Sequence, residues 1–155
     1  MGPNLIDVTD AEGRLVAPEW LQRAEKVHRQ LRTALPADYR GKLQRMFAGG
    51  ARMLVAVEAE TDLVVGVAIF RVFETTFDGV RLYVDDLVTD ETRRSRGVGK
   101  ALLDGLEVRA RERGCQTLAL DSGVQRARAH RFYFREGMIV SSFAFKKGLG
   151  PHTVG

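Results

Sequence analysis

The sequence predicts an α/β chain, a mixed sheet flanked by helices in a single domain spanning residues 1–155. Three observations predict it. The apolar period is helical from about residue 18 to 50, switches to a strand-like run rich in β-branched residues, and then alternates strand and helix. At 155 residues, with 45% hydrophobic and 28% charged, the chain has the length and composition of one full core. No internal repeat, low-complexity stretch or Pro/Gly/Ser linker divides it.

Each element follows in order. Leu5 to Val8 reads as a short first strand. After Pro18, Trp20, Leu21, Ala24, Val27, Leu31 and Leu35 recur at helical spacing, and Pro36 ends the run. A second short helix, ADYRGKLQRMF, closes at Gly49-Gly50. RMLVAVEA and VVGVAIFRVF, joined by ETDL, read as an antiparallel hairpin, and DGVRLYVDDLVTD adds a third strand behind the Asp78-Gly79 turn. A helix opened by a glycine turn follows and ends at Gly114, with Leu102, Leu103, Leu106 and Ala110 facing inward. CQTLALD is a strand, QRARAHRFYFRE a helix and MIVSSFAFKK a last strand, followed by a loose tail, GLGPHTVG.

The charge balance narrows the function. Lys and Arg total 24 against 20 Asp and Glu, a formal net charge of +4, which suits a small anionic ligand better than a polyanion such as nucleic acid. Cys115 is the lone cysteine, so no intrachain disulfide and no cysteine-based zinc cluster is expected, and no metal site is read. The N-terminal MGPNLIDVTD lacks a basic and apolar leader pattern, its sixth residue is not the Ser or Thr of a myristoylation signal, and no apolar run reaches about 18 residues. The expectation is a cytoplasmic protein without membrane attachment.

The stretch VTDETRRSRGVGKALL, Val88 to Leu103, places a glycine turn where a strand becomes a helix. A helix N-terminus leaves its first N–H groups unpaired and carries partial positive charge, so it accepts a phosphate wherever the backbone can come close. Gly97 and Gly99 remove obstructing side chains, while Arg94, Arg96 and Lys100 add charge. A Walker A loop does not fit, because Ala101 stands where the magnesium-binding Ser or Thr belongs. A dinucleotide fingerprint does not fit either, because Leu102 stands at its third glycine and three strands precede it. An ordinary strand-to-helix turn with solvated arginines is the bland alternative.

Arg94-Ser95-Arg96-Gly97-Val98-Gly99 resembles the Arg/Gln-x-x-Gly-x-Gly/Ala signature of the GNAT superfamily of N-acetyltransferases. Downstream, AHRFYFREGM is similar to the family's Ala-x-x-x-Tyr-x-x-x-Gly-Phe pattern, with Ala129, Tyr133 and Gly137 in register and Met138 in place of Phe. The wording around LDSGVQR also resembles a bacterial subgroup of uncharacterised members, although Arg126 stands where many carry Asn. The likeness is specific from about Asp85 to Met138; residues 18–50 correspond to the family's variable substrate-side helices and about 80–138 to its acetyl-CoA-binding core. The resemblance implies a fold whose fourth and fifth strands splay around acetyl-CoA. It implies that backbone N–H groups from Arg94, Ser95, Arg96, Gly97, Val98, Gly99 and Lys100 hold the pyrophosphate. The edge Leu87-Val88-Thr89 would pair with the pantetheine amides, and Ala129 would lie against CoA; His130, beside it, reads either as a CoA contact or as a surface histidine on an arginine-rich helix.

Acetyl transfer to an amine needs a neutral nucleophile, and a lysine-like amine costs about 4.6 kcal/mol to deprotonate at pH 7, which makes a base useful. Strand alternation places Asp86 on one face with Leu82, Val84 and Val88, an unusual position for a carboxylate, although a bulge near Asp85 would swap the faces. Asp86 is the first candidate for the base side, by proton acceptance or by binding a cationic substrate, and Asp121 the second. The resemblance assigns Tyr133 to the departing thiolate, since a phenol stays protonated at pH 7; by itself the same residue reads as a packed aromatic. Cys115 reads as a small hydrophobe opening a strand. The expected activity is a direct ternary-complex N-acetylation of a cationic small molecule or protein lysine. A non-catalytic acyl-CoA-binding module is the alternative, and an RNA binder built on QRARAHRFYFR a more distant one. The apolar last strand, whose edge would be exposed, points to a homodimer.

Overall fold

In the computed structural model, residues 2–151 are described, and the chain divides between Leu120 and Asp121 into two units that are taken separately. The first contains β1 (Asn4–Asp7), α1 (Pro18–Leu31), α2 (Tyr39–Ala48), β2 (Arg52–Glu58), β3 (Leu63–Thr75), β4 (Gly79–Thr89), a 3₁₀ turn (Glu91–Arg93), α3 (Val98–Glu112) and β5 (Thr117–Leu120). The strands lie in the order β1-β2-β3-β4-β5; the first four are antiparallel and β5 runs parallel to β4. This is the expected mixed α/β sheet.

The two sheet faces bury different sets of side chains. One face packs Val55, Val57, Val67 and Ile69 against Leu21, Ala24 and Val27 of α1 and Leu43 and Phe47 of α2. The other packs Leu54, Ala56, Ala68, Phe70, Leu82 and Val84 against Val98, Leu102 and Leu106 of α3. Gly66 lets α3 approach: a Cβ there would sit 2.7 Å from Leu102 Cδ1 and 2.8 Å from Val98 Cγ1. Its lack of a side chain seats the first turn of α3 directly on β3.

Two features of β4 determine what it exposes. Its pairing with β5 covers Arg81 to Val84 and ends at Val84 opposite Leu120. Among the described residues, 86–89 therefore have a partner strand only on the β3 side. The register against β3 also slips between Ile69, opposite Asp86, and Phe70, opposite Val84, so that Asp85 is an extra residue. The bulge corrects the alternation expected from sequence: Leu82 and Val84 belong to the α3 face, whereas Val88 packs against the α1 face and Asp86 meets His28 of α1.

The α1 helix is shorter than expected, ending at Leu31 rather than running on to Leu35. Leu35 precedes Pro36, which biases it away from helix. Arg29 reaches past the helix end and donates to the carbonyls of Leu35 at 2.6 Å and Pro36 at 2.7 Å, holding the chain as it leaves. Asp38 caps α2, accepting from Gly41 N at 2.9 Å.

The second unit contains α4 (Ala127–Arg135), which Gly137 closes with φ of 85° while Met138 N donates to Tyr133 O at 3.0 Å. The expected last strand over 138–147 does not form. A strand needs a neighbour for its N–H and C=O groups, and none pairs with this segment among the described residues. The expected loose tail is irregular through Pro151, and its remainder, residues 152–155, lies outside the described residues.

Candidate functional site

The glycine turn lies between the 3₁₀ turn and α3. Asp90 starts it: its Oδ1 accepts from Thr92 N at 3.1 Å, and Arg93 is clamped to Glu58 of β2 with contacts of 3.1 and 3.2 Å. Glu91 N donates to Gln30 Oε1 of α1 at 2.9 Å, tying the turn to the helical face. The chain then reverses sharply, with Ser95 at φ of 65° and Gly97 at φ of 81° in the left-handed region. Gly97 is the N-cap of α3, and the helical ladder starts with Ala101 N donating to Gly97 O at 3.0 Å. The N–H groups of Val98 and Gly99 precede that ladder at the helix end. No atom lies within 4 Å of where a Gly97 Cβ would be, so the backbone is approachable there. Arg94, Ser95 and Arg96 are exposed around it. Beside the turn is a cleft of about 110 Å³ whose walls include Glu58, Val65, Arg93, Arg96 and Val98.

The β4 residues Leu87, Val88 and Thr89 are half-buried and lead straight into this turn, on the stretch beyond the end of the β5 ladder. A strand edge beyond the β5 ladder, with no strand on that side among the described residues, thus runs into a helix N-terminus. That combination offers amide pairing followed by anion binding along one continuous piece of chain.

Asp86 lies at the other end of the open edge, 8% exposed. His28, 1% exposed, contacts it from Nε2 to Oδ2 at 2.7 Å, and Arg32 donates to Oδ1 from Nη2 at 2.6 Å and Nε at 2.7 Å. The other ring nitrogen of His28 is 2.8 Å from the Tyr39 hydroxyl. Burial alone would raise the Asp86 pKa, but the bonds from His28 and Arg32 outweigh it and hold the carboxyl below its ordinary value. An ionised Asp86 only accepts, so Nε2 carries the ring proton. Nδ1 pairs with the Tyr39 hydroxyl, whose pKa burial pushes far up. Every polar atom of the chain Tyr39–His28–Asp86 is satisfied in this arrangement.

Asp85, the bulged residue, behaves oppositely. Burial raises its pKa, only partly offset by the bond from Arg71 Nε at 2.7 Å. Of the two adjacent carboxylates, Asp85 is the stronger base and Asp86 the more firmly held charge. His28, Arg32, Tyr39 and Arg71 are residues the sequence reading did not select. His28 was accessible to it, since it falls four residues after Ala24 on the inward stripe of α1.

In the second unit, Asp121 is exposed, and Ala129 and His130 are half-buried. His130 Nε2 lies 2.9 Å from Gly123 O, which folds the 121–126 loop over the start of α4. Tyr133 is half-buried beside Phe132, their ring centroids 5.5 Å apart, and burial raises its phenol pKa. Cys115, which was expected to open a strand, sits just ahead of β5, half-buried against the α3-side core, with its thiol pKa pushed up by burial. Among the described residues no group of three His, Cys, Asp or Glu is placed to hold a metal ion, and no helix is long and apolar enough to cross a membrane.

The family model of the acetyltransferase (GNAT) family matches residues 17–138, most of the chain. The chain belongs to the GNAT family. It is 44% identical over 70 residues to "Uncharacterized N-acetyltransferase YhdJ" of Bacillus subtilis, covering 44% of this chain and 49% of that protein. It is 38% identical over 66 residues to the aminoalkylphosphonate N-acetyltransferase of Salmonella typhimurium, covering 43% of each. The chain thus spans about half or less of the curated relatives it matches. Among solved structures, the aminoglycoside N-acetyltransferase AAC(6')-Iy in complex with CoA superimposes with a TM-score of 0.78 at 14% identity, covering 97% of both chains. The ribosomal-protein-alanine N-acetyltransferase from Brucella melitensis biovar Abortus 2308 does so with a TM-score of 0.76 at 16% identity, covering 96% of this chain and 100% of that one. At such identities these structures establish the GNAT fold.

Proposed function

We propose that this GNAT chain transfers an acetyl group from acetyl-CoA to a primary amine of a small molecule or protein, by direct attack within a ternary complex. The observation that carries the reading is the continuity of the open β4 edge, Leu87-Val88-Thr89, with the left-handed turn from Arg94 to Lys100 at the N-terminus of α3. The edge takes the pantetheine amides and the turn takes the pyrophosphate, with Ala129 and His130 of α4 assigned to the CoA face. Acetyl-CoA supplies an activated acyl group; the chain's residues bind it and manage charge and protons.

On the acceptor side, Asp86 acts through its charge. Its lowered pKa makes it a weak proton acceptor but a persistent anion, suited to orienting a cationic amine. Asp121, an exposed carboxylate, is the second candidate to take the amine proton, directly or through water. Tyr133 supplies a proton to the departing thiolate, and its raised pKa keeps the phenol protonated at neutral pH. This division needs no covalent acetyl carrier and no metal. In this reading the enzyme works in the cytoplasm as a homodimer.

One observation favours the non-catalytic alternative: Asp86 is fully engaged by His28 and Arg32, as a structural carboxylate would be. Calorimetric titration of acetyl-CoA, combined with a thiol-release assay over an amine panel, separates the readings. Wild type binds and turns over, and Gly97→Glu, which puts a side chain and a negative charge at a left-handed position in the turn, does not bind. Tyr133→Phe retains acetyl-CoA affinity and loses about 10²-fold or more in turnover. Binding without release of thiol for any amine identifies the non-catalytic module, and absence of binding overturns the assignment of the turn.

A further inference from the structure

Asp90 and Glu91 join the β4 edge to the glycine turn, and part of their anchorage comes from α1. The Glu91 N–H is the first of the 3₁₀ turn, so the turn itself offers it no acceptor. Gln30, half-buried in the last turn of α1, supplies one: its Oε1 accepts from Glu91 N at 2.9 Å, and its Nε2 donates to Asp90 Oδ1 at 3.4 Å. The same Asp90 oxygen accepts from Thr92 N and Thr92 Oγ1, each at 3.1 Å, which shapes the chain as it enters the glycine turn.

Gln30 is one of three residues by which the end of α1 grips the last stretch of β4. His28 and Arg32 hold the Asp86 carboxylate, and Arg32 Nη2 also donates to the Asp85 carbonyl at 3.1 Å. Between that anchor and the one at Asp90-Glu91 lie Leu87, Val88 and Thr89. Val88 packs on the α1-side core, and the stretch has no strand on its β5 side among the described residues. Backbone with one strand neighbour makes fewer ladder bonds and opens more readily than an inner strand. The grip from α1 supplies restraint at both ends of the stretch where a second neighbour is missing.

We infer that Gln30 is a positioning residue for acetyl-CoA: by clamping Asp90 and Glu91 it fixes the junction from which the pyrophosphate turn starts, and with His28 and Arg32 it brackets the pantetheine edge. The inference rests on the acetyl-CoA reading of this edge and turn. Gln30 itself touches neither pantetheine nor phosphate in this scheme; it sets the fraction of molecules whose turn is already seated. A ligand that binds only the seated turn has its apparent Kd raised by the inverse of that fraction.

The test uses the full chain with Gln30→Met, which keeps the length and apolar contacts of the side chain and removes both bonds. Without ligand, amide hydrogen exchange followed by NMR is expected to quicken at Glu91 and its neighbours from 87 to 93 while the amides of β2 and the middle of α3 are unchanged. Calorimetry is expected to show the Kd for acetyl-CoA raised about tenfold, as for a turn seated about a tenth of the time. Glu25→Ala is the control, because it removes the carboxylate that pairs with Arg29 on the same helix, and it is expected to leave the acetyl-CoA Kd unchanged. Unchanged affinity in Gln30→Met, with or without quicker exchange, overturns the positioning role. An equal loss of affinity in Glu25→Ala overturns it too, since any loosening of α1 would then suffice. A wild type that does not bind acetyl-CoA is a separate failure: it strikes the functional reading itself, and the role of Gln30 falls with it.

Discussion

At the residue scale, the buried Tyr39–His28–Asp86–Arg32 chain decides what Asp86 can do. A carboxylate on a sheet face among valines and leucines would be expelled or neutralised unless partnered, and here two partners arrive from one end of α1, His28 in its last turn and Arg32 just past its end. Tyr39→Phe removes the hydroxyl that pairs with Nδ1 and leaves that buried nitrogen without it. The expected cost is about 1–3 kcal/mol in denaturant unfolding, with circular dichroism unchanged. The pH dependence has a definite sign. Because the folded-state pKa of Asp86 lies below its ordinary value of 3.8, its stabilising contribution is present above that value and is lost as pH falls through the folded one. Asp86→Asn is therefore expected to lie below wild type in melting temperature at pH 6 to 7, with the gap closing as the pH is taken below 3.8. A gap that stays constant across the titration would show that the ionic part of the network contributes nothing. The identity of these partners was only half legible in the sequence: His28 lies on the apolar stripe of α1, but nothing local shows that the stripe passes over residue 86 of a strand 58 positions later.

At the element scale, the site is made by where pairing stops. The β4–β5 ladder closes at Val84, the bulge at Asp85 turns the next residues over, and α3 begins nine residues after Thr89, its first turn seated on β3 at a glycine of that strand. Gly66 is the contact point of that seating. Gly66→Val adds bulk where a Cβ is already under 3 Å from Val98 and Leu102, and it is expected to cost about 1–3 kcal/mol in stability. Acetyl-CoA affinity measured by calorimetry should fall as well, because the turn rides on that helix end. Loss of stability with unchanged affinity would separate the turn from the helix it opens. The glycine turn, the hairpin and the α3 face were all readable from spacing, since local backbone preference and period encode them. The bulge was foreseen only as a possibility, because a single extra residue leaves no mark in the hydrophobic pattern. The last strand was misread for the complementary reason: MIVSSFAFKK has strand composition, but composition does not supply a neighbour.

At the scale of the whole molecule, a net charge of +4 spread over a chain with arginines at the turn and in α4 argues for a small polyanionic cosubstrate rather than a nucleic acid. Acetyl-CoA affinity should weaken with added salt, whereas a mixed RNA pool should show no salt-dependent binding at 50–200 mM salt, checked by fluorescence anisotropy. Strong, steeply salt-dependent RNA binding would instead revive the basic and aromatic run QRARAHRFYFR as a nucleic-acid surface. By itself the sequence determined the class of fold, the order of its elements as far as α4, the glycine turn at the start of α3 and the family, because each of these is written in local period, local backbone preference and residue spacing. Tertiary structure alone decided that the β4–β5 pairing ends at Val84, that Asp86 faces His28 rather than the α3 core, that Asp85 and Asp86 shift in opposite directions, and that residues 138–147 have no strand pairing among the described residues. All four depend on which groups distant in sequence meet, and pairing register, burial and the pKa of a carboxylate are properties of those meetings.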